Sequence, residues 1–171
     1  MSVGLAEPIV TLAEAQAFTR IETGEEEALV AGLIRSASGL CEAFLGQVVI
    51  ERDFAEQLPP SFEWQRLRTV PVRSIESVTK EGSALEPSSY ATDIDANGRG
   101  WIRLTRTGSG GTIQVSGVAG MAAGQNGVPE PIRQGVLRLV SHLFSARDGE
   151  GGDIPAAVTA LWRPYRKLSL A

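Results

Sequence analysis

The chain of 171 residues has one cysteine, Cys41, and one histidine, His142. A lone thiol excludes intrachain disulfide scaffolds and cysteine-based zinc sites. A lone imidazole excludes a two-histidine metal site, and any serine or cysteine hydrolase would have to work through His142. No cofactor is therefore expected. The longest uncharged run, Thr107 to Pro129, is interrupted by glycines and contains Ser, Thr, Gln and Asn, so it is not a membrane helix. The first residues, MSVGLAEPIV, have no basic start and carry Glu7, so no signal peptide is expected. These absences point to a product made or assembled in the cytoplasm, with no membrane partner.

What is present is ordinary for a soluble domain: 43% hydrophobic and 21% charged residues. The length suits one domain, or one domain with an insertion. A chain of this size should bury roughly 68–70% of its extended surface, enough for a core without staples. Charge is the unusual feature. The net −4 divides unevenly: residues 1–60 hold 3 basic and 10 acidic residues, and residues 61–171 hold 13 and 10. The last nine residues contain Arg163, Arg166 and Lys167 and no acid. An acidic total argues against a free-standing nucleic-acid binder, which usually carries a basic face.

Hydrophobic period places the elements. Thr11 with Glu14 is a capping-box pattern ahead of a short helix from about Leu12 to Thr19. Thr23 with Glu26 repeats the pattern. Leu29, Leu33, Ala37, Leu40, Cys41 and Phe44 then step as one apolar face of a helix of roughly 20 residues, stopped by Gly46. The period next becomes two. Six short strands are expected, near Val48–Phe54, Phe62–Leu67, Ile75–Thr79, Tyr90–Ile94, Trp101–Leu104 and Thr112–Val118, with Gly and Asn-Gly turns between them. Helical spacing returns from Pro129 to about Ala146. A second C-terminal helix carries Val158, Leu161 and Trp162, with Pro164 kinking or ending it.

The expected fold class is therefore α+β: a small α-helical bundle of two N-terminal and two C-terminal helices with an inserted antiparallel β domain. The bundle spans 1–47 and 128–171 and the insertion 48–127. Apolar helix faces too wide to leave in water are the reason to pack the two ends together.

Candidate chemistry is thin. Asp93 and Asp95 lie two apart on one strand and are the only acid/base pair worth naming, for a carboxylate-dependent hydrolase. They also read as a polar strand end running into the Asn97-Gly98 turn. Gly108-Ser109-Gly110-Gly111 lacks the Lys-Ser/Thr and helix of a P-loop and reads as a hairpin tip. Cys41 reads as a small buried hydrophobe and His142 as a surface or core-edge residue. Two features ask for more. The segment ALWRPYRKLSLA combines Trp162, Tyr165, Leu168 and Leu170 with three cations, the mixture that interfaces enrich. It could equally be a frayed helix lying on the protein's own core. The second is Arg99, Arg103 and Arg106, with Arg66, Arg68 and Arg73 on other strands, as a basic sheet face or rim, or paired with local acids.

The order of segments resembles the head–tail connector (adaptor) proteins of long-tailed phages and of phage-derived gene transfer agents. The pieces that carry the resemblance are VTLAEAQAF (Val10 to Phe18), EEEALVAGLI (Glu25 to Ile34), CEAFLGQ (Cys41 to Gln47), PVRSIESV (Pro71 to Val78), SSYA (Ser88 to Ala91), VPEPIRQGVLRLV (Val128 to Val140) and LWRPYR (Leu161 to Arg166). Together they span nearly the whole chain. The glycine-rich stretch from Gly117 to Gly127 departs from many relatives.

The resemblance implies assembly rather than catalysis. The subunit would form a ring, about twelve-fold, beneath the portal of a phage or phage-like particle. It would extend the DNA channel and join the head to the stopper or tail. Its place would be the head–tail junction of a particle assembled in the bacterial cytoplasm. The implied partners are the portal protein, a stopper or tail-completion protein, neighbouring copies in the ring, and double-stranded DNA passing without sequence recognition. The implied portal-binding tail is Leu161, Trp162, Arg163, Tyr165, Arg166, Lys167 and Leu168. Glu25, Glu26, Glu27, Arg99, Arg103 and Arg106 are candidate channel or subunit-contact charges. An acidic lumen would repel DNA, whereas strong phosphate contacts would hold it. A binding module in some non-viral complex is the alternative.

Overall fold

In a computed structural model, residues 7–20, 26–106, 110–146 and 153–167 are described. Thr23, Glu25, Gly108, Ser109, Leu168 and Leu170 lie outside them. Among the described residues, four α-helices and two antiparallel sheets give an α+β fold. The chain divides into two compact units, one of residues 51–121 and one formed by residues 7–50 with those from 122 onward.

The helical unit contains α1 (Leu12–Thr19), α2 (Glu27–Leu45), α3 (Glu130–Ser145) and α4 (Ala156–Trp162), with 3-10 turns at Gln125–Gly127 before α3 and Arg163–Tyr165 after α4. The capping box at α1 forms as expected. The Glu14 amide donates to Thr11 Oγ1 at 3.1 Å, and the Thr11 amide donates to Glu14 Oε2 at 2.9 Å. For the second, Glu26 occupies the N-cap of α2 instead of lying three residues inside it, and Thr23 lies outside the described residues. Gly46 ends α2 in the left-handed region, φ 64°, and its amide donates to the Glu42 carbonyl at 2.9 Å. A residue without Cβ suits that turn. Val30, Ile34, Ala37, Cys41 and Leu45 of α2 are buried at helical steps, as are Ile132, Val136, Leu139 and Val140 of α3.

The β unit contains β1 (Arg52–Leu58), β2 (Gln65–Arg66), β3 (Val72–Lys80), β4 (Ser83–Ala84), β5 (Tyr90–Ile94), β6 (Gly100–Leu104) and β7 (Ile113–Ala119). One sheet has the order β1-β7-β3-β4 and the other β2-β6-β5. Period-two burial is clearest in β7, where Ile113, Val115, Gly117 and Ala119 face inward. The first strand begins at Arg52, not Val48. Val49 and Ile50 are buried in the helical unit instead, where the Ala122 amide donates to the Val49 carbonyl at 2.9 Å.

One acid lies inside the β unit. Glu56 on β1 is 3% exposed. Its carboxyl oxygens accept from the amides of Arg68 and Thr69 and from the Thr69 hydroxyl, at 2.9–3.2 Å. A buried polar group needs such partners, and here it pins the loop after β2 to β1.

Candidate functional site

The C-terminal segment is built onto the helical unit. Trp162 is 0% exposed. Its indole N–H donates to the Ile132 carbonyl at 3.1 Å, and its ring lies 5.8 Å from that of Phe44. Gly135 on α3 makes the room, because a Cβ there would collide with the indole nitrogen. Beyond the helix, Gln47 Nε2 donates to the Tyr165 carbonyl at 2.5 Å and the Lys167 amide to the Leu45 carbonyl at 2.9 Å. The Arg166 guanidinium sits 5.1 Å from the centre of the Phe44 ring. As far as Lys167 the tail therefore lies on its own unit. Trp162 is a core residue and has no surface to offer a partner. Leu161 and Tyr165 are half-buried, while Arg163, Arg166 and Lys167 are exposed.

Of the three acids, Glu26 and Glu27 open α2, where negative charge complements the helix dipole. Glu27 is exposed and Glu26 half-buried. Glu25 lies outside the described residues.

The arginines do not form one site. Arg103 on β6 faces outward, and its guanidinium lies 4.9 Å from the centre of the Trp64 ring. Register places Arg66 opposite Trp101, Trp101 opposite Asp93, and Arg103 opposite Ala91. Cross-strand partners share a face, so Arg66, Trp101, Arg103 and Asp93 lie together on the outer side of the β2-β6-β5 sheet. Arg99 lies in the turn before β6, and Arg106 follows the strand, exposed. Arg73 is elsewhere, paired with Glu51 at 3.1 Å and donating to the carbonyls of Gly120 and Met121.

Asp93 and Asp95 sit in different settings, one on β5 and one in the turn after it. Asp95 Oδ1 accepts from the amides of Asn97 at 2.8 Å and Arg99 at 2.9 Å, closing the turn. Those hydrogen bonds, the Arg99 amide first, hold its carboxyl below the ordinary value. Asp93 shares its face with arginines. Burial pushes the Cys41 thiol well above its ordinary range, as expected of an inert core thiol. Among the described residues no three His, Cys, Asp or Glu side chains gather as a metal site.

The sequence pattern hid one surface. Five large hydrophobics are exposed among the described residues: Phe18 at 42%, Leu29 at 42%, Leu40 at 41%, Phe62 at 63% and Trp64 at 43%. Leu29 and Leu40 were expected to face the core with Ala37 and Cys41. They belong instead to a separate stripe, with half-buried Leu33, that points away from the buried face. The two sets, 29-33-40 and 30-34-37-41-45, are distinguishable by register alone. By length and composition α2 would pass for a membrane span, and only 33% of that apolar stretch is buried. Its inner face nevertheless packs on α1 and α3 as a core helix does.

Comparison with known proteins agrees with this arrangement. Over its full length the fold matches a chain from the neck of an empty gene transfer agent (GTA) particle computed with C6 symmetry. The TM-score is 0.78 at 21% identity, covering 100% of this chain and 98% of that one. A chain from the virion of a native GTA particle matches at TM-score 0.77 and 20% identity, covering 99% and 96%. A chain from the neck of a native GTA particle computed with C12 symmetry matches at 0.73 and 19%, covering 100% and 98%. Among curated proteins there is no match. Residues 8–151 match the family described as HCP, head completion protein, and by that match over most of its length this chain belongs to the head completion protein family.

Proposed function

We propose that this protein is a head–tail connector (adaptor) subunit. Copies form a ring beneath the portal of a phage or phage-like particle, extend the DNA channel and join the head to the stopper or tail. The observation that carries this reading is the full-length likeness to chains of GTA necks, two of them computed with six- and twelve-fold symmetry, in a member of the head completion family. In this reading the protein's role is mechanical rather than catalytic. Asp95 supports that view, because its carboxyl is occupied in closing a turn.

In this reading the portal contact is made by the exposed cations Arg163, Arg166 and Lys167, with Leu161 and Tyr165 as apolar support and Leu168 continuing the segment. Trp162 anchors that segment on the helical unit. The charges of Glu25, Glu26 and Glu27 and of Arg99, Arg103 and Arg106 serve neighbouring copies or the channel. Double-stranded DNA passes without sequence recognition.

The test is a triple reversal, Arg163→Glu, Arg166→Glu and Lys167→Glu, in cells that make the particle. All three side chains are exposed, so the helical circular-dichroism signal should persist. The amount of this chain in purified particles should fall at least ten-fold. Normal incorporation of the folded variant would remove the portal role from these residues. Electron microscopy that found no ring of this chain at the neck of native particles would remove the connector reading itself.

A further inference from the structure

The geometry points to a contact between copies in which the outer ridge of α2 on one subunit receives the aromatic knob beside β2 on the next. This inference rests on the ring reading above. A ring of more than two copies closes by head-to-tail contacts, so each subunit must present two unlike faces that fit each other. The described surface offers such a pair, one on each unit of the chain.

The first face is a ridge. Leu29, Leu33 and Leu40 lie at steps of four and seven, within about 40° of one another around a helix of 3.6 residues per turn. Beside them run Gly32, Ser36 and Gly39, small residues that let a partner approach the backbone. Leu29 and Leu40 are each about two-fifths exposed. Exposure of this kind in a contiguous stripe marks an interaction surface. Glu26, the N-cap residue in line with Leu29, Leu33 and Leu40, stands at the head of the ridge and makes that end acidic.

The second face is a knob. The turn that carries Phe62 and Trp64 is held from both sides. The Leu104 amide donates to the Ser61 carbonyl at 2.8 Å, and Gln65 Nε2 donates to the Pro59 carbonyl at 2.8 Å. The aromatic rings therefore project from a fixed support. Arg103 lies against the Trp64 ring, and Arg66 is on the same side of the sheet. Trp and Arg are the residues on which interface energy concentrates, and a preorganised anchor loses less entropy on docking. The match is one of shape and sign: an apolar ridge with an acid at its head, and an aromatic knob flanked by cations. Opposite charge would set the register of neighbours.

Photocrosslinking in assembled particles tests this. p-Benzoylphenylalanine replaces Leu40 in the full chain, and in a control it replaces Arg35, which is exposed on the same helix away from the ridge. Particles are purified, irradiated and analysed by gel and mass spectrometry. The expected result is a band of twice the subunit mass from the Leu40 position. Its crosslinked peptide should come from residues 59–66 or 100–104 of a second copy, with little product from the Arg35 position. A crosslink to α2 of a second copy, to a different protein, or to nothing in particles that contain this chain would overturn the contact while leaving the ring reading intact. Particles whose necks lack the chain would overturn the ring reading instead.

Discussion

The helical unit and the β unit solve the same problem with different chemistry. In the helical unit the fixing groups are large and apolar: Trp162, Leu45, Ile132 and Leu139 are fully buried, and Gly135 is hollowed out so that the indole can seat. In the β unit loops are tied down by carboxyl groups. Glu56 gathers the amides of Arg68 and Thr69 from inside, and Asp95 gathers those of Asn97 and Arg99 from the surface. Apolar burial scales with area and tolerates small shifts, whereas a buried acceptor works only if its donors arrive at hydrogen-bond distance. The helical unit should therefore fail by loss of packing, and the β unit by release of particular loops.

The largest effect should come from Trp162. Trp162→Ala removes the largest fully buried side chain and leaves a cavity beside Gly135, at a cost of about 3–5 kcal/mol. Thermal or urea unfolding should show this as a much lower midpoint. If Trp162 were a partner-gripping residue instead, the free chain would unfold as the native one does and only particle assembly would suffer. An unchanged midpoint would therefore reverse the assignment made here.

Trp162 also shows where sequence reasoning succeeds and where it stops. The capping box at Thr11, the extent of α1, the Gly46 stop and the apolar face of α3 are local patterns, and all of them were legible. The α+β class followed from the change of period. The fate of the C-terminal segment was not legible, because its bonds run from Tyr165 and Lys167 to Gln47 and Leu45, over a hundred residues away in sequence. The tail could be read as interface or as core; the structure divides it, with Trp162 inside and Arg163, Arg166 and Lys167 outside. The same reason hid Glu56. Nothing local separates it from the surface acids Asp53 and Glu63, and only the loop folding over β1 makes it an internal acceptor. Leu29 and Leu40 misled in the opposite way, since leucines at helical steps look like core until two stripes are told apart.

The intermediate effect belongs to that buried acid. Glu56→Ala leaves two amides and a hydroxyl without their acceptor, which should cost about 1–3 kcal/mol. Hydrogen exchange should locate the loss: the amides of Arg68 and Thr69 should lose protection, and those of α2 and α3 should keep theirs. Uniform loss across both units would mean that the carboxyl supports the whole molecule and not one loop.

The smallest effect comes from Asp95, whose carboxyl does similar work in open solvent. Its pKa is lower folded than unfolded, because the folded turn hydrogen-bonds the ionised form. Its contribution is therefore complete above the unfolded value and fades as pH falls through the folded one. Water and salt screen an exposed group, so the change should be slight. Asp95→Ala should lower the melting midpoint a little near neutral pH, and that deficit should shrink as the solution is acidified, since the native chain loses the same interaction by protonation. Asp95→Asn retains an oxygen that can accept from Asn97 and Arg99 without charge, and should fall between the two. A deficit that stayed constant down to strongly acidic pH would show that the turn depends on the side chain's shape and not on its charge. The contrast between the units would then lie in burial alone.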